Sequence, residues 1–292
     1  MTTNYLGSGA YCYANSLAMI IRDVPMTAVE VLTGSPFGAQ IEDTGLPWFD
    51  PPGWQPDLGL DRAIDLLGWT CQRTSGGSAE EALVRLRESC PALVGPVDIG
   101  LLTHQPWSPG KAVGGDHWVV VVEVTDDVVV FHDPDGFPYA TLPIQQFLEA
   151  WRADEITSVE GSYILRTDFE RQRQVSVEDA LRASLPHARD WLARDSQQAV
   201  EQMAALLAAE NDGIRGHLAG LAGPAGVRRL NDASIWLAAI GQTEAAIVAA
   251  ELSRSLGSLQ FALTSRQFPR AAEILAALAP GYPKLRAALT ST

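Results

Sequence analysis

Cysteine is scarce in this chain: 292 residues carry three, Cys12, Cys71 and Cys90. An odd number cannot pair completely within one chain, which argues against an oxidised, disulfide-stapled scaffold. Positive charge is also in short supply, with 21 Lys and Arg against 35 Asp and Glu and a formal net charge of −14. That sign of field disfavours a nucleic-acid partner. No run reaches the ~18 apolar residues of a membrane span. The longest strongly apolar stretch, Trp118–Val124, carries Glu123 and reads as a buried strand. The first residues, MTTNYLGSGAYCYANS, lack a positive segment ahead of an apolar one, so no secretory signal is expected. These absences lead to the expectation of a cytoplasmic protein without membrane contact. What is present, 47% hydrophobic and 19% charged residues, suits a folded core and is too apolar for a disordered chain.

The length fits one large or two ordinary domains, and composition divides it. Residues 1–174 hold 24 Asp and Glu against 10 Lys and Arg, while residues 175–292 hold 11 of each. The acidic excess therefore falls in the N-terminal stretch, where it serves solubility or favours a cationic substrate. Six of the eight Trp and 13 of the 18 Pro precede residue 152, whereas Ala supplies 27 residues after position 174. The expected fold class is α+β, with a mixed domain over 1–172 and an all-α helical domain over 173–292. Pro91–Asp98, His117–Val124, Val128–Asp133 and Gly161–Leu165 are rich in β-branched residues between turn formers and read as strands. Thr125-Asp126-Asp127 joins the second and third of these as a hairpin. Helices are expected near Cys12–Arg22, Leu58–Leu67, Ala79–Ser89 and Pro143–Trp151. In the second domain Ser176 and Asp179 resemble a capping box. Segments 196–210, 227–240, 242–256 and 269–278 read as amphipathic helices, punctuated by Pro186, Pro224, Pro269 and Pro280.

Three spots in the first domain carry chemistry. In Gly7-Ser8-Gly9-Ala10-Tyr11-Cys12 a glycine-containing loop runs into a helix with cysteine at its first turn. Free amides and the helix dipole there favour negative charge on sulfur, hence a thiolate nucleophile, and can hold a tetrahedral oxyanion. In Gly114-Gly115-Asp116-His117-Trp118 a histidine opens a buried strand after a Gly-Gly turn. The strand Val128–Asp133 ends in Asp-Pro, and hairpin pairing brings Asp133 to the same end of the ladder as His117. An aspartate so placed fixes the tautomer of an imidazole, completing a Cys-His-Asp relay. His132 points to the opposite face by strand alternation and is the weaker base.

The order of these motifs resembles papain-like cysteine enzymes of the bacteriocin-leader peptidase type and, more closely, the butirosin biosynthesis protein H family. The residues that carry the resemblance are Gly9-Ala10-Tyr11-Cys12 with Leu17, then Leu58-Gly59-Leu60, Pro96-Val97-Asp98, Gly115-Asp116-His117-Trp118-Val119-Val120-Val121 and His132-Asp133-Pro134. It implies a papain-like catalytic domain followed by a helical bundle, with Cys12 as nucleophile, His117 as base and Asp133 as orienting residue. It further implies an acyltransferase or amide synthase of antibiotic biosynthesis. An acyl group would pass from a thioester, borne by an acyl carrier protein, through Cys12 to a small-molecule amine. No cofactor or metal is implied. The leader peptidases carry a glutamine shortly before the cysteine, and the window 4–11 has none. Asn4 and Ser8 are the side-chain candidates for the oxyanion, with Trp118 beside them as a substrate contact.

Two other readings share these residues: a thiol peptidase or amidase using the same triad, and an inactive papain-like module that binds a partner. Cys71 and Cys90 read as buried structural thiols, and His104 as a loop residue without metal spacing. The Asp133/Asp135/Gly136 run lacks the remaining ligands of a calcium loop. Trp48, Trp54, Trp107 and Trp118 either wall a pocket or pack the core. The Leu46–Pro56 loop either covers a substrate or is a surface excursion. His187 and His217 read as helix residues, and Arg215, Arg228 and Arg229 as a docking surface for an acidic carrier.

Overall fold

Valine-rich segments with alternating polar residues become strands when one face can be buried. The computed structural model describes residues 11–289 and follows that rule. From the N-terminal side run α1 (Cys12–Ile21), α2 (Met26–Thr33), the short strands β1 (Gln40–Ile41) and β2 (Pro47–Trp48), and α3 (Pro56–Leu66). Then come β3 (Trp69–Thr74), α4 (Ala79–Glu88), β4 (Ala92–Asp98), a 3-10 turn (Ile99–Leu101), β5 (Asp116–Val124), β6 (Val128–Asp133) and β7 (Phe137–Pro143). α5 (Ile144–Arg152) and β8 (Leu165–Arg171) follow. The rest is helical: α6 (Val177–Trp191), α7 (Ser196–Ala208), α8 (Asp212–His217), a π turn (Leu218–Ala222), α9 (Gly223–Ala239), α10 (Thr243–Thr264), α11 (Phe268–Leu278) and α12 (Gly281–Ala288). The class is α+β with a helical C-terminal region. No helix among the described residues is long and apolar enough to cross a membrane.

Two compact units form. One comprises residues 11–29 and 67–174, the other residues 30–66 with the helical remainder from 175. The division expected at 172/173 misplaces residues 30–66, which cluster with the helices. By unit, the sheet-bearing one holds 17 Asp and Glu against 9 Lys and Arg, a net of −8, so the other carries the remaining −6. The helical unit is therefore acidic, not neutral.

In the first unit six antiparallel strands lie in the order β3-β8-β4-β5-β6-β7. Val119, Val121, Val129 and Phe131 meet Phe147 and Trp151 of α5 and Leu86 of α4 in one buried cluster. On the other face of β5, Trp118 meets Tyr13 of α1 edge-on at 5.8 Å, and Ser16 Oγ donates to the Trp118 carbonyl at 3.1 Å. A methyl group at Gly95 would collide with the Trp118 ring, so that crossing requires glycine. The β5–β6 turn is closed by Thr125, whose Oγ1 accepts from the Val128 amide at 3.0 Å. The strand expected at 161–165 instead begins at Leu165, because Tyr163 has φ 52 and cannot continue an extended chain. Its polar sequence, LRTDFER, resembled the linker.

In the second unit, charge is buried rather than displayed. Arg229 on α9, 6% exposed, donates to Glu30 Oε1 at 3.0 Å and to Asp50 Oδ2 at 2.8 Å. Gln40 Nε2 donates to Asp50 Oδ1 at 2.5 Å, and Ser35 Oγ to Glu30 Oε1 at 2.6 Å. Burial pushes the Asp50 carboxyl up, against the Arg229 charge and the hydrogen bonds from Gln40 and Arg229, which pull it down. Arg228 is buried beside Asp232, and Arg215 pairs with Asp212 at 2.6 Å. Arg228 and Arg229 are thus packed inside and present no docking surface for a carrier. The Leu46–Pro56 loop is likewise internal: Phe49, Asp50 and Trp54 are buried, and Trp54 Nε1 donates to the Thr33 carbonyl at 2.8 Å. Pro186 sits inside α6 rather than at its end, among the buried Leu181, Ser184, Leu185 and Ala188. Replacing Arg229 with Ala strands two buried carboxylates and is expected to cost ~3–5 kcal/mol, the range for one-sided loss from a buried ion pair. Urea unfolding followed by circular dichroism checks this, and an unchanged midpoint would count against it.

Candidate functional site

α1 begins at Cys12, and the chain runs into it through Tyr11 at φ 117 and ψ 38, a left-handed conformation rare for a bulky residue. Tyr11, at the N-cap, makes no capping bond with its side chain. A helix N-terminus favours negative charge, which is what a thiolate or an oxyanion requires. Asn15 ties the helix start down, its amide and Nδ2 both donating to the Tyr11 carbonyl at 2.8 and 3.0 Å.

His117, 3% exposed, is held through Nε2 by Asp133 Oδ1 at 2.8 Å, and its imidazole interacts electrostatically with the Cys12 thiol. With Nε2 committed to the carboxylate, Nδ1 is the nitrogen left to serve a thiol. Register explains the pairing: Val121 opposes Phe131 and Val120 opposes His132, which puts His117 and Asp133 on one face at one end. His132 lies on the other face, its Nδ1 accepting from the Tyr139 amide at 3.1 Å. The expected three residues are thus brought together, and His132 is held apart from them.

The sequence reading missed two neighbours. His104 Nε2 and Gln105 Nε2 both reach Asp133 Oδ2, at 2.8 and 2.7 Å. The Asp135 amide donates to Oδ1 at 2.9 Å, so His117, His104, Gln105 and Asp135 together give Asp133 four donors. A signal was available: β4 and β5 pair antiparallel, so the segment joining them must return to the His117 end. Asp98 fastens that segment at both of its ends, accepting from Gly100 at 2.9 Å and from Val113 and Gly114 at 3.0 and 2.8 Å.

Burial alone would lower the His117 imidazole, but the Cys12 charge, the hydrogen bonds to Asp133 and Cys12 and the Asp133 charge hold it well above its usual range. Burial alone would raise Asp133, but hydrogen bonds from His104 and His117, the His117 charge and the Asp135 amide hold it well below the usual carboxylate range. An ionised Asp133 only accepts, so each imidazole donates to it. His117, Asp133 and Asp135 also place atoms able to ligate a metal within 4.8 Å of one another. The four donors on Asp133 leave its lone pairs engaged, which suits a relay better than a chelate.

Other expectations fare differently. Trp118 is fully buried between Tyr13 and Gly95 and supports α1 instead of lining a surface. Asn4 and Ser8 lie outside the described residues. Cys71 and Cys90, expected to be buried, are only partly buried, as is Cys12, so exposure does not distinguish the three thiols. Cys12 differs from the other two in interacting with the His117 imidazole. Of the tryptophans, Trp54 is core and Trp107 is 62% exposed, its ring 5.5 Å from that of Phe137.

Residues 193–290 match the model of the YobF C-terminal domain, which places that likeness in the helical region. A protein of Bacillus subtilis (strain 168), named Uncharacterized protein YobF, is 33% identical over 165 residues, or 54% of this chain and 53% of that protein. The chain spans about half the length of that relative.

The titrations set a stability window. A histidine raised on folding stabilises fully below its ordinary value, and that stability is lost as pH climbs through the folded one. A depressed aspartate stabilises above its ordinary value, and that stability is lost as pH falls. The two contributions overlap between about pH 4 and pH 6.5, the ordinary values of the two groups. The Tm difference between wild type and Asp133→Asn is expected to be largest there and to shrink on both sides. Thermal melts over a pH series measure it, and a flat difference would contradict the ionised pair.

Proposed function

We propose that this protein is a papain-like cysteine acyltransferase that takes an acyl group from a thioester onto Cys12 and delivers it to an amine. The observation that carries the reading is the chain of contacts from the Cys12 thiol at a helix start, through His117, to a buried Asp133. A raised His117 supports an imidazole that holds a proton beside the thiol and hands it on during the reaction. The thiolate attacks the thioester carbonyl, the first-turn amides receive the oxyanion, and His117 protonates the departing thiol. The amine then attacks acyl-Cys12, His117 takes its proton, and amide and thiolate are released. Thioester plus amine becomes amide plus thiol, with no redox partner.

The missing glutamine in the window 4–11 favours this over peptide hydrolysis, because a thioester needs less oxyanion help than an amide. The net −8 of the sheet-bearing unit favours a cationic amine as acceptor. An acyl carrier protein remains the proposed donor, but Arg228 and Arg229 are not where it docks.

Intact-mass spectrometry after incubation with a small acyl thioester tests the reading. One acyl group is expected on Cys12, retained in Cys71→Ala and Cys90→Ala, absent in Cys12→Ala, and discharged to amide when an amine is added. Turnover in Cys12→Ala should fall ~10³-fold or more, as for loss of a nucleophile acting within a unit. Wild-type turnover in that variant would end the proposal. Discharge to water in preference to amines would favour the hydrolase, and no adduct at all an inactive module.

A further inference from the structure

The contacts around Asp133 exceed what a three-residue relay needs. Its Oδ2 faces away from His117's partner atom and takes two side-chain donors, His104 Nε2 at 2.8 Å and Gln105 Nε2 at 2.7 Å. Both belong to the segment that connects β4 to β5, and both are nearly removed from solvent. A carboxylate is free to rotate about its Cβ–Cγ bond, and rotation would swap the oxygen offered to an imidazole. Two donors on one oxygen and the Asp135 amide on the other remove that freedom.

His104 is itself immobilised. Its ring stands edge-on to Phe131 at 4.9 Å and to Phe137 at 5.3 Å. Its backbone rides on the 3-10 turn, where the Gln105 amide donates to the Leu102 carbonyl at 3.0 Å and Ser108 Oγ to the Gly100 carbonyl at 2.8 Å. Glycine is required at Gly100, where a methyl group would strike the Lys111 carbonyl, so the segment can close on the Asp98 clamp.

We propose that His104, seconded by Gln105, is a positioning residue for the Cys12 chemistry: it fixes the Asp133 carboxylate so that Oδ1 holds His117 with Nδ1 turned toward sulfur. This rests on the acyl-transfer reading for its effect on rate, but not for its effect on geometry. His104 touches neither the thiol nor the carbon under attack, and its influence passes through Asp133. A neutral Gln at the same place offers an Nε2 donor of similar reach, so it should rescue what Ala removes.

The experiment measures two things in wild type, His104→Ala, His104→Gln and Gln105→Ala. One is the nitrogen-15 NMR signal of the His117 Nε2–H, which is protected from exchange while it is bonded to Asp133. The other is the rate of Cys12 acylation by a small thioester. In His104→Ala the protected signal is expected to be lost and acylation to fall ~10²-fold, the scale of a misplaced catalytic group. His104→Gln is expected to keep the signal and most of the rate, and Gln105→Ala to lie between. A protected His117 signal and full rate in both His104→Ala and Gln105→Ala would overturn the inference. So would a His104→Gln protein that is folded by circular dichroism yet as impaired as His104→Ala. If wild-type Cys12 takes no acyl group, the acyl-transfer reading fails, while the NMR signal still decides whether His104 orients the pair.

Discussion

A buried negative charge organises the sheet-bearing unit. Asp133 ends a Val-rich strand whose neighbours are apolar, and an ionised carboxylate there is tolerable only when its lone pairs are filled. The residues that fill them come from three places: β5 supplies His117, the β4–β5 connection supplies His104 and Gln105, and the turn after β6 supplies the Asp135 amide. Each hydrogen bond to a charged group contributes ~1.5–3 kcal/mol in a buried setting. The carboxylate therefore acts as a fastener for segments that hydrophobic packing alone leaves loosely oriented. Asp98, at the end of β4, has a similar role, so two acidic side chains hold the loop that reaches the site.

The helical unit solves the same problem with the opposite partner. Arg229 is the buried charge there, and Glu30, Asp50 and the Phe49 carbonyl converge on it from residues distant in sequence. Such a pair disciplines packing more than it adds net stability, since removing charge from water offsets most of the attraction. It also joins the 30–66 segment to α9, which is why that segment belongs with the helices. The YobF C-terminal domain likeness covers residues 193–290 alone, so it includes the arginine but not the acidic partners.

How far the sequence could be read depended on the range of the interaction. Helix α4, expected over Ala79–Ser89, and the β5–β6 hairpin are decided by neighbours in the chain, and both were legible, though the Ser78 and Glu81 capping box that starts the helix was not read. His117 and Asp133 were legible because strand alternation is a strict rule that converts spacing into geometry, and Cys12 because it stands at a helix start. His104 was not, because nothing local marks a loop histidine that bonds a carboxylate 29 positions later. The fate of 30–66 was hidden for the same reason: Asp50 and Trp54 looked like features of an acidic, proline-rich loop until a distant arginine was placed against them. β8 was misjudged through composition, since polar strands and polar linkers share residues.

The separation of the pair from the thiol has a consequence for how the chain comes to life. His117 and Asp133 are 16 residues apart and share a hairpin, so their meeting needs only a short loop to close. Cys12 lies 105 positions before His117 and meets it only when α1 has docked on β5. During synthesis the thiol leaves the ribosome first, and its imidazole is not yet made. The sulfur thus spends that interval without its partner imidazole. The thiol–imidazole pair is therefore a product of the completed fold and not of the local sequence.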